Sequence, residues 1–167
     1  GTGATAALMA VGQPGAVAAA PADTVTGLQT VPFHGPHQAG VTAVTQAHET
    51  LIALDLRDGV DRDALSRMMR LLSDDAARLS AGRAALADLE PELADAPSRL
   101  AFAFGFGPRL VAAAGGATPE SLAPLPAFGV DRLDPAISDG DLLLLVGGDD
   151  PLTIAHAVRM LLKDAAG

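Results

Sequence analysis

The order of apolar stretches predicts a mixed domain of strands and helices, and three observations carry that expectation. Short apolar runs at Thr50–Leu56, Leu100–Phe106 and Leu142–Val146 have the length of buried strands. Two longer stretches, after Asp61 and after Asp150-Pro151, place apolar residues at the three- and four-residue spacing of one helix face. The apolar share of 49% supplies a core, but much of it is Ala and the aromatic residues are five Phe with no Trp or Tyr, so a thin core is expected. Pattern alone leaves open a parallel α/β sheet and a split α+β sandwich.

Gly1 to Ala22 is rich in Gly and Ala, carries Leu8, Met9, Val11 and Val17, and closes on Ala20-Pro21-Ala22 before Asp23. That small-x-small pattern suits a signal peptidase, so residues 1–22 are expected to be the remnant of an export signal, with a twin-arginine stretch upstream and an extracellular or periplasmic destination. The other reading is a flexible Ala/Gly arm. Pro14-Gly15 interrupts the segment, which is too short to span a bilayer. Residues 23–167 form the globular unit.

Thr50–Leu56, bounded by Asp58-Gly59, is the first strand. Asp61 caps a helix with Leu65, Met68, Leu72, Ala76 and Leu79 on one face and Gly82 near its end; Met68 and Met69 are read as core filler rather than ligands. Leu100, Phe102, Phe104 and Phe106 alternate with Ala101, Ala103 and Gly105, so one strand face is bulky and the other admits close packing by a neighbour. Pro108 opens a short helix over Arg109–Ala114 that Gly115-Gly116 closes, and a Pro-rich connection runs from Pro119 to Pro135. Asp141 leads into the third strand. The last helix starts at Asp150-Pro151, carries Ile154, Val158 and Leu161 on one face, and ends near Lys163.

A net charge of −9, with no Lys or Arg before Arg57, leaves no basic stripe for nucleic acid or an anionic membrane surface. Without Cys there is no disulfide, thiolate nucleophile or Cys-based metal site.

The segment Pro32-Phe33-His34-Gly35-Pro36-His37-Gln38-Ala39-Gly40-Val41 resembles the motif that opens the globular part of DyP-type haem peroxidases, including their exported deferrochelatase branch. Phe104-Gly105-Phe106-Gly107-Pro108-Arg109-Leu110 is similar to that family's strand-to-helix turn, and Leu133-Asp134-Pro135 with Ser138-Asp139-Gly140-Asp141 to the approach to its third strand. Asp149-Asp150-Pro151 through His156-Ala157-Val158-Arg159 matches as well, so four motifs in order cover about Pro32 to Lys163. The resemblance implies an α+β, ferredoxin-like domain, the first of two in the family, its antiparallel sheet covered by helices and its last strand missing from this sequence. The unpaired edge would then be that of Thr50–Leu56.

The family's Gly-x-x-Asp-Gly motif with the distal Asp, its distal Arg and its proximal His have no counterpart here. The resemblance therefore implies a peroxidase that uses haem b and hydrogen peroxide to oxidise dyes, phenols or similar small-molecule donors, with this chain as N-terminal scaffold, inactive alone. A C-terminal half, as second chain or continuation, would be its partner and bring the catalytic residues and axial ligand; self-association stays open. From the same resemblance, His37 and Gln38 are candidates for a wall of the haem cavity. The competing reading is a haem-free ferredoxin-like module that pairs through its open sheet edge.

The other polar features read as structural. His34 and His37 are separated by Gly35-Pro36, which fixes a loop, and no carboxylate or Cys lies beside them in sequence. His156 falls with Arg159 and Lys163, away from the apolar stripe, and is expected at the surface or between domains, not on the iron. Gly105-Phe106-Gly107 imitates a dinucleotide fingerprint, but Leu110 replaces the third glycine, so tight packing on the sheet is the better account. Asp149-Asp150 read as helix caps.

Overall fold

The three apolar runs become strands β1 (His48–Leu54), β2 (Ala101–Phe106) and β3 (Leu142–Gly148) in the computed structural model, which describes residues 26–123, 125–126, 128–134 and 138–166. The expected export remnant, residues 1–22, lies outside the described residues. β3 pairs antiparallel with both other strands, giving the order β1-β3-β2. β1 and β2 thus run parallel with β3 filling the slot between them. That is the split arrangement of a ferredoxin-like α+β domain, and it removes the parallel α/β alternative.

Four helices accompany the sheet: α1 (Ala39–Thr42), α2 (Arg62–Ser80), α3 (Pro108–Ala113) and α4 (Pro151–Ala166). α2 begins where Asp61 Oδ1 accepts the Ala64 amide at 2.8 Å, and it ends before Gly82, whose φ of +70° suits the residue after a helix. α4 begins where Asp150 Oδ1 accepts the Leu152 and Thr153 amides, the capping role expected of that residue. α2 packs on α4 and β2, while α4 packs on β3 and β1. The first strand begins and ends two residues earlier than expected. The short α1 and the 3₁₀ turns Pro91–Ala94 and Glu120–Leu122 have no periodic signal in the sequence.

Register assigns the faces. Ile52 pairs with Leu144 and Leu54 with Leu142, while Phe102 and Phe104 lie opposite Val146 and Leu144, so these residues share the face under α2 and α4. Leu72, Leu144 and Leu161 are fully buried there, each worth roughly 1.5–3 kcal/mol of transferred side chain. Met68 and Met69 pack against this core as filler.

The opposite face is divided. Its β2 side, Ala101 and Ala103, is buried, and α1 lies across it so closely that a Cβ on Gly40 would stand 2.6 Å from the Phe102 carbonyl carbon. Its β1 and β3 side keeps Leu51 62% and Leu143 39% exposed, with Ala53 exposed beside them. β1 pairs with β3 alone among the described residues, so its outer edge is the open one, as the sequence predicts for the first strand.

Gly40→Ala is expected to lift α1 from β2 and lower stability by about 1–3 kcal/mol, measured as a shift in urea unfolding at unchanged m-value.

Candidate functional site

The segment Pro32–Gly40 wraps the outer edge of β2. On the core side the Phe33 ring meets Phe102 and Phe104 edge-on at centroid distances of 6.4 and 6.3 Å. Gly35-Pro36 turns the chain, and Gln38 follows at the strand edge. The Gln38 carboxamide does there what a neighbouring strand would do: its Nε2 donates to the Phe104 carbonyl at 2.9 Å, and its Oε1 accepts the Phe104 amide at 2.7 Å. One side chain thereby satisfies an outward-facing pair of backbone groups on an edge strand.

The two candidate residues, His37 and Gln38, are brought together with Phe33, His34 and Phe102 around an open cleft of about 240 Å³. A second open groove of about 610 Å³ runs from His37 along α1 to Arg99. Arg99 shapes that groove: its Nη2 donates to the Val44 and Thr45 carbonyls at 3.0 Å each, and its Nε pairs with Asp149 Oδ2 at 3.3 Å. His34 sets its ring edge-on to Phe33 at 4.9 Å, and both His34 and His37 are exposed.

These residues do not enclose a ligand by themselves. Among the described residues no group of three His, Cys, Asp or Glu is placed to hold a metal ion. The His37 cleft falls below the roughly 300–1,000 Å³ of pockets that enclose a ligand, and both it and the Arg99 groove open to solvent. Gln38 has both polar atoms committed to Phe104. What the segment offers is the exposed His37 imidazole next to a strand edge capped by Gln38.

The remaining histidine that sequence placed at the surface is buried. His156 is 3% exposed, and its Nε2 lies 3.0 Å from Asp88 Oδ2, because the chain after α2 folds back over that flank of α4. Burial pushes the Asp88 carboxyl up, but the Glu90 amide and the His156 imidazole outweigh it and hold it below the usual carboxylate value. This imidazole therefore pairs with a carboxylate inside the domain, not at the surface where its helical position suggested.

The motif residues at the far end of the sheet form a structural hub. Asp141 Oδ2 accepts the Leu56 amide and pairs with Arg109 Nη1, both at 2.8 Å, and the same Nη1 donates to the Leu56 carbonyl. The Asp141 backbone bonds Leu54 and Gly107, so the ends of β1, β2 and β3 are tied at one carboxylate. A Cβ on Gly107 would stand 2.7 Å from the Gly140 carbonyl oxygen, the tight packing expected of the glycine pair.

Comparison with known proteins places these features together. The family model described as "Dyp-type peroxidase, N-terminal" matches residues 38–167. The deferrochelatase of Shigella flexneri serotype 5b is 33% identical over 145 residues, which are 79% of this chain and 34% of that protein. The deferrochelatase of Escherichia coli K12 is 32% identical over the same span. Among solved structures, a DyP-type peroxidase from Cellulomonas bogoriensis superposes with a TM-score of 0.81 at 50% identity, covering 84% of this chain and 40% of that one. Ferric DtpA from Streptomyces lividans does so at 0.77 and 40%, covering 83% and 38%. The chain thus spans about a third of the length of the curated relatives it matches.

Asp141→Ala is expected to cost about 2–3 kcal/mol, since it strands the Leu56 amide and the Arg109 guanidinium together. Gln38→Ala should cost about 1–2 kcal/mol, whereas His37→Ala should stay within about 0.5 kcal/mol, all read from urea unfolding.

Proposed function

The chain belongs to the Dyp-type peroxidase family, through that family's N-terminal domain, and from this premise we propose that it is the scaffold part of an exported haem peroxidase. The whole protein would reduce hydrogen peroxide and take electrons from a bulky donor such as a dye or phenol. The observation that carries the scaffold reading is the bare half of the sheet: Leu51, Ala53 and Leu143 form an apolar face beside the open edge of β1. An apolar sheet face and a strand edge left together in water are unfavourable and serve as docking surfaces. Their natural occupant is the remainder of the peroxidase, which would bring the axial ligand and the proton-moving groups for haem b.

In this reading His37 and the rigid edge around Gln38 face the assembled cavity as part of its wall. The chain's own residues position, exclude water and seal; none of them transfers a proton to peroxide. The two chief structural signatures, the Asp141 hub and the Gln38 edge cap, hold the strand ends and the β2 edge in place. The same open edge also fits a haem-free module that pairs strand to strand, and the absorbance spectrum separates the two readings.

The full-length protein is expected to show a Soret band and peroxide turnover. Leu51→Asp in that protein should lower the ratio of Soret to protein absorbance and its Tm, because the docked face would bury an unpaired carboxylate. A colourless full-length protein contradicts the enzyme, and an unchanged ratio and Tm in the variant contradict the docking face.

A further inference from the structure

Between α2 and α4 lie two carboxyl groups that the peroxidase reading does not use. Asp75 on α2 is fully buried and Asp164 on α4 is 7% exposed, and the two carboxyl groups lie close enough for Asp75 to raise the pKa of Asp164. The Oδ2 atoms of both are shut off from solvent and have no hydrogen-bond partner. Two ionised carboxylates cannot share such a place, so one proton held between them is what satisfies both.

The pair sits beneath a strap. Residues 84–94 leave the end of α2 and cross the α2–α4 seam toward β2, and polar contacts to both helices hold them there. Asp75 Oδ1 accepts the Leu86 amide at 2.8 Å, so the same carboxyl that meets Asp164 also fastens the strap. Lys163 Nζ donates to the Ala87 carbonyl at 2.8 Å, and Arg78 Nε to that of Ala84 at 2.7 Å. Asp88 pairs with His156, and Glu90 with Arg159. Lys163, Arg78, His156 and Arg159 are therefore directed at the strap rather than at the Asp75 and Asp164 oxygens.

We propose that residues 84–94 are a pH-operated latch on the α2–α4 pair, closed while Asp75 and Asp164 share one proton and loosened when that proton passes to solvent. Losing it leaves two buried like charges, and the relief available is for Asp75 or Asp164 to turn outward, which releases the Leu86 amide. The direction follows from linkage. The Asp164 carboxyl is pushed up to about 7 from an ordinary 3.8, first by burial, then by the charge and hydrogen bond of Asp75, against a weaker pull from Lys163. The folded protein thus holds a proton that the unfolded chain releases at the lower value. The pair's contribution is full below that value and is lost as pH rises through about 7.

The test is carboxyl ¹³C NMR of the full-length protein labelled at Asp, with amide exchange followed from about pH 5 to about pH 8. An Asp164 resonance with a midpoint near neutrality is expected, and the Leu86 amide should lose protection over that range. The opening constant, corrected for intrinsic exchange, should rise by up to about tenfold per pH unit. Asp164→Asn should remove both the resonance and the pH dependence, and Asp75→Asn serves if the first variant does not fold. Titration of Asp164 in the ordinary carboxylate range, or an unchanged pH dependence in either variant, overturns the latch.

Discussion

The architecture hangs on one carboxylate at the end of the sheet. β3 comes last among the three strands and must slide between two that are already joined through α2, so its register against both depends on where it begins. Asp141 settles that point by bonding the chain after β1 and the Arg109 turn after β2 at once, with its own backbone completing the tie. A slip of one residue would turn Leu142, Leu144 and Val146 out of the core, so the hub and the alternation enforce the same register. The sheet that follows carries α2 and α4 on one face and α1 on half of the other, the remaining half being exposed.

The two sheet edges are handled in opposite ways, and this asymmetry links fold to function. β2 is sealed within the chain by the Gln38 carboxamide, the Phe33 ring and α1, which packs on it through Gly40. Among the described residues β1 has no such cover, and its neighbouring face exposes leucines. A domain evolved to stand alone in water tends to protect both edges. Leaving one bare beside an apolar face fits a surface that meets another unit, in keeping with relatives more than twice as long.

Much of this was legible in the sequence because it rests on periodicity. The alternation of Phe102, Phe104 and Phe106 with small residues marked a strand with one bulky and one smooth face, and the Asp61 and Asp150 caps marked both long helices. Strand order was not legible from pattern, since a parallel and a split sheet share the same element order; the family motifs resolved it. The role of Gln38 was hidden too, because a side chain that mimics a strand has no periodic signature. His156 was misplaced for a specific reason: the stripe was drawn through Ile154, Val158 and Leu161, yet Thr153, His156, Met160 and Asp164 recur at helical spacing and are also buried. Asp75, three residues after Leu72, carried a similar clue, a charged residue set in an apolar row and therefore obliged to find a partner inside.

The central claim is that the bare face and edge of β1 are covered in the working protein. Backbone hydrogen exchange along residues 50–54 of the haem-loaded, full-length protein tests it most directly. The account predicts that these amides exchange as slowly as those of β3 at its centre. Exchange of the outward-facing amides at the rate of an unstructured peptide, with haem bound, would contradict it.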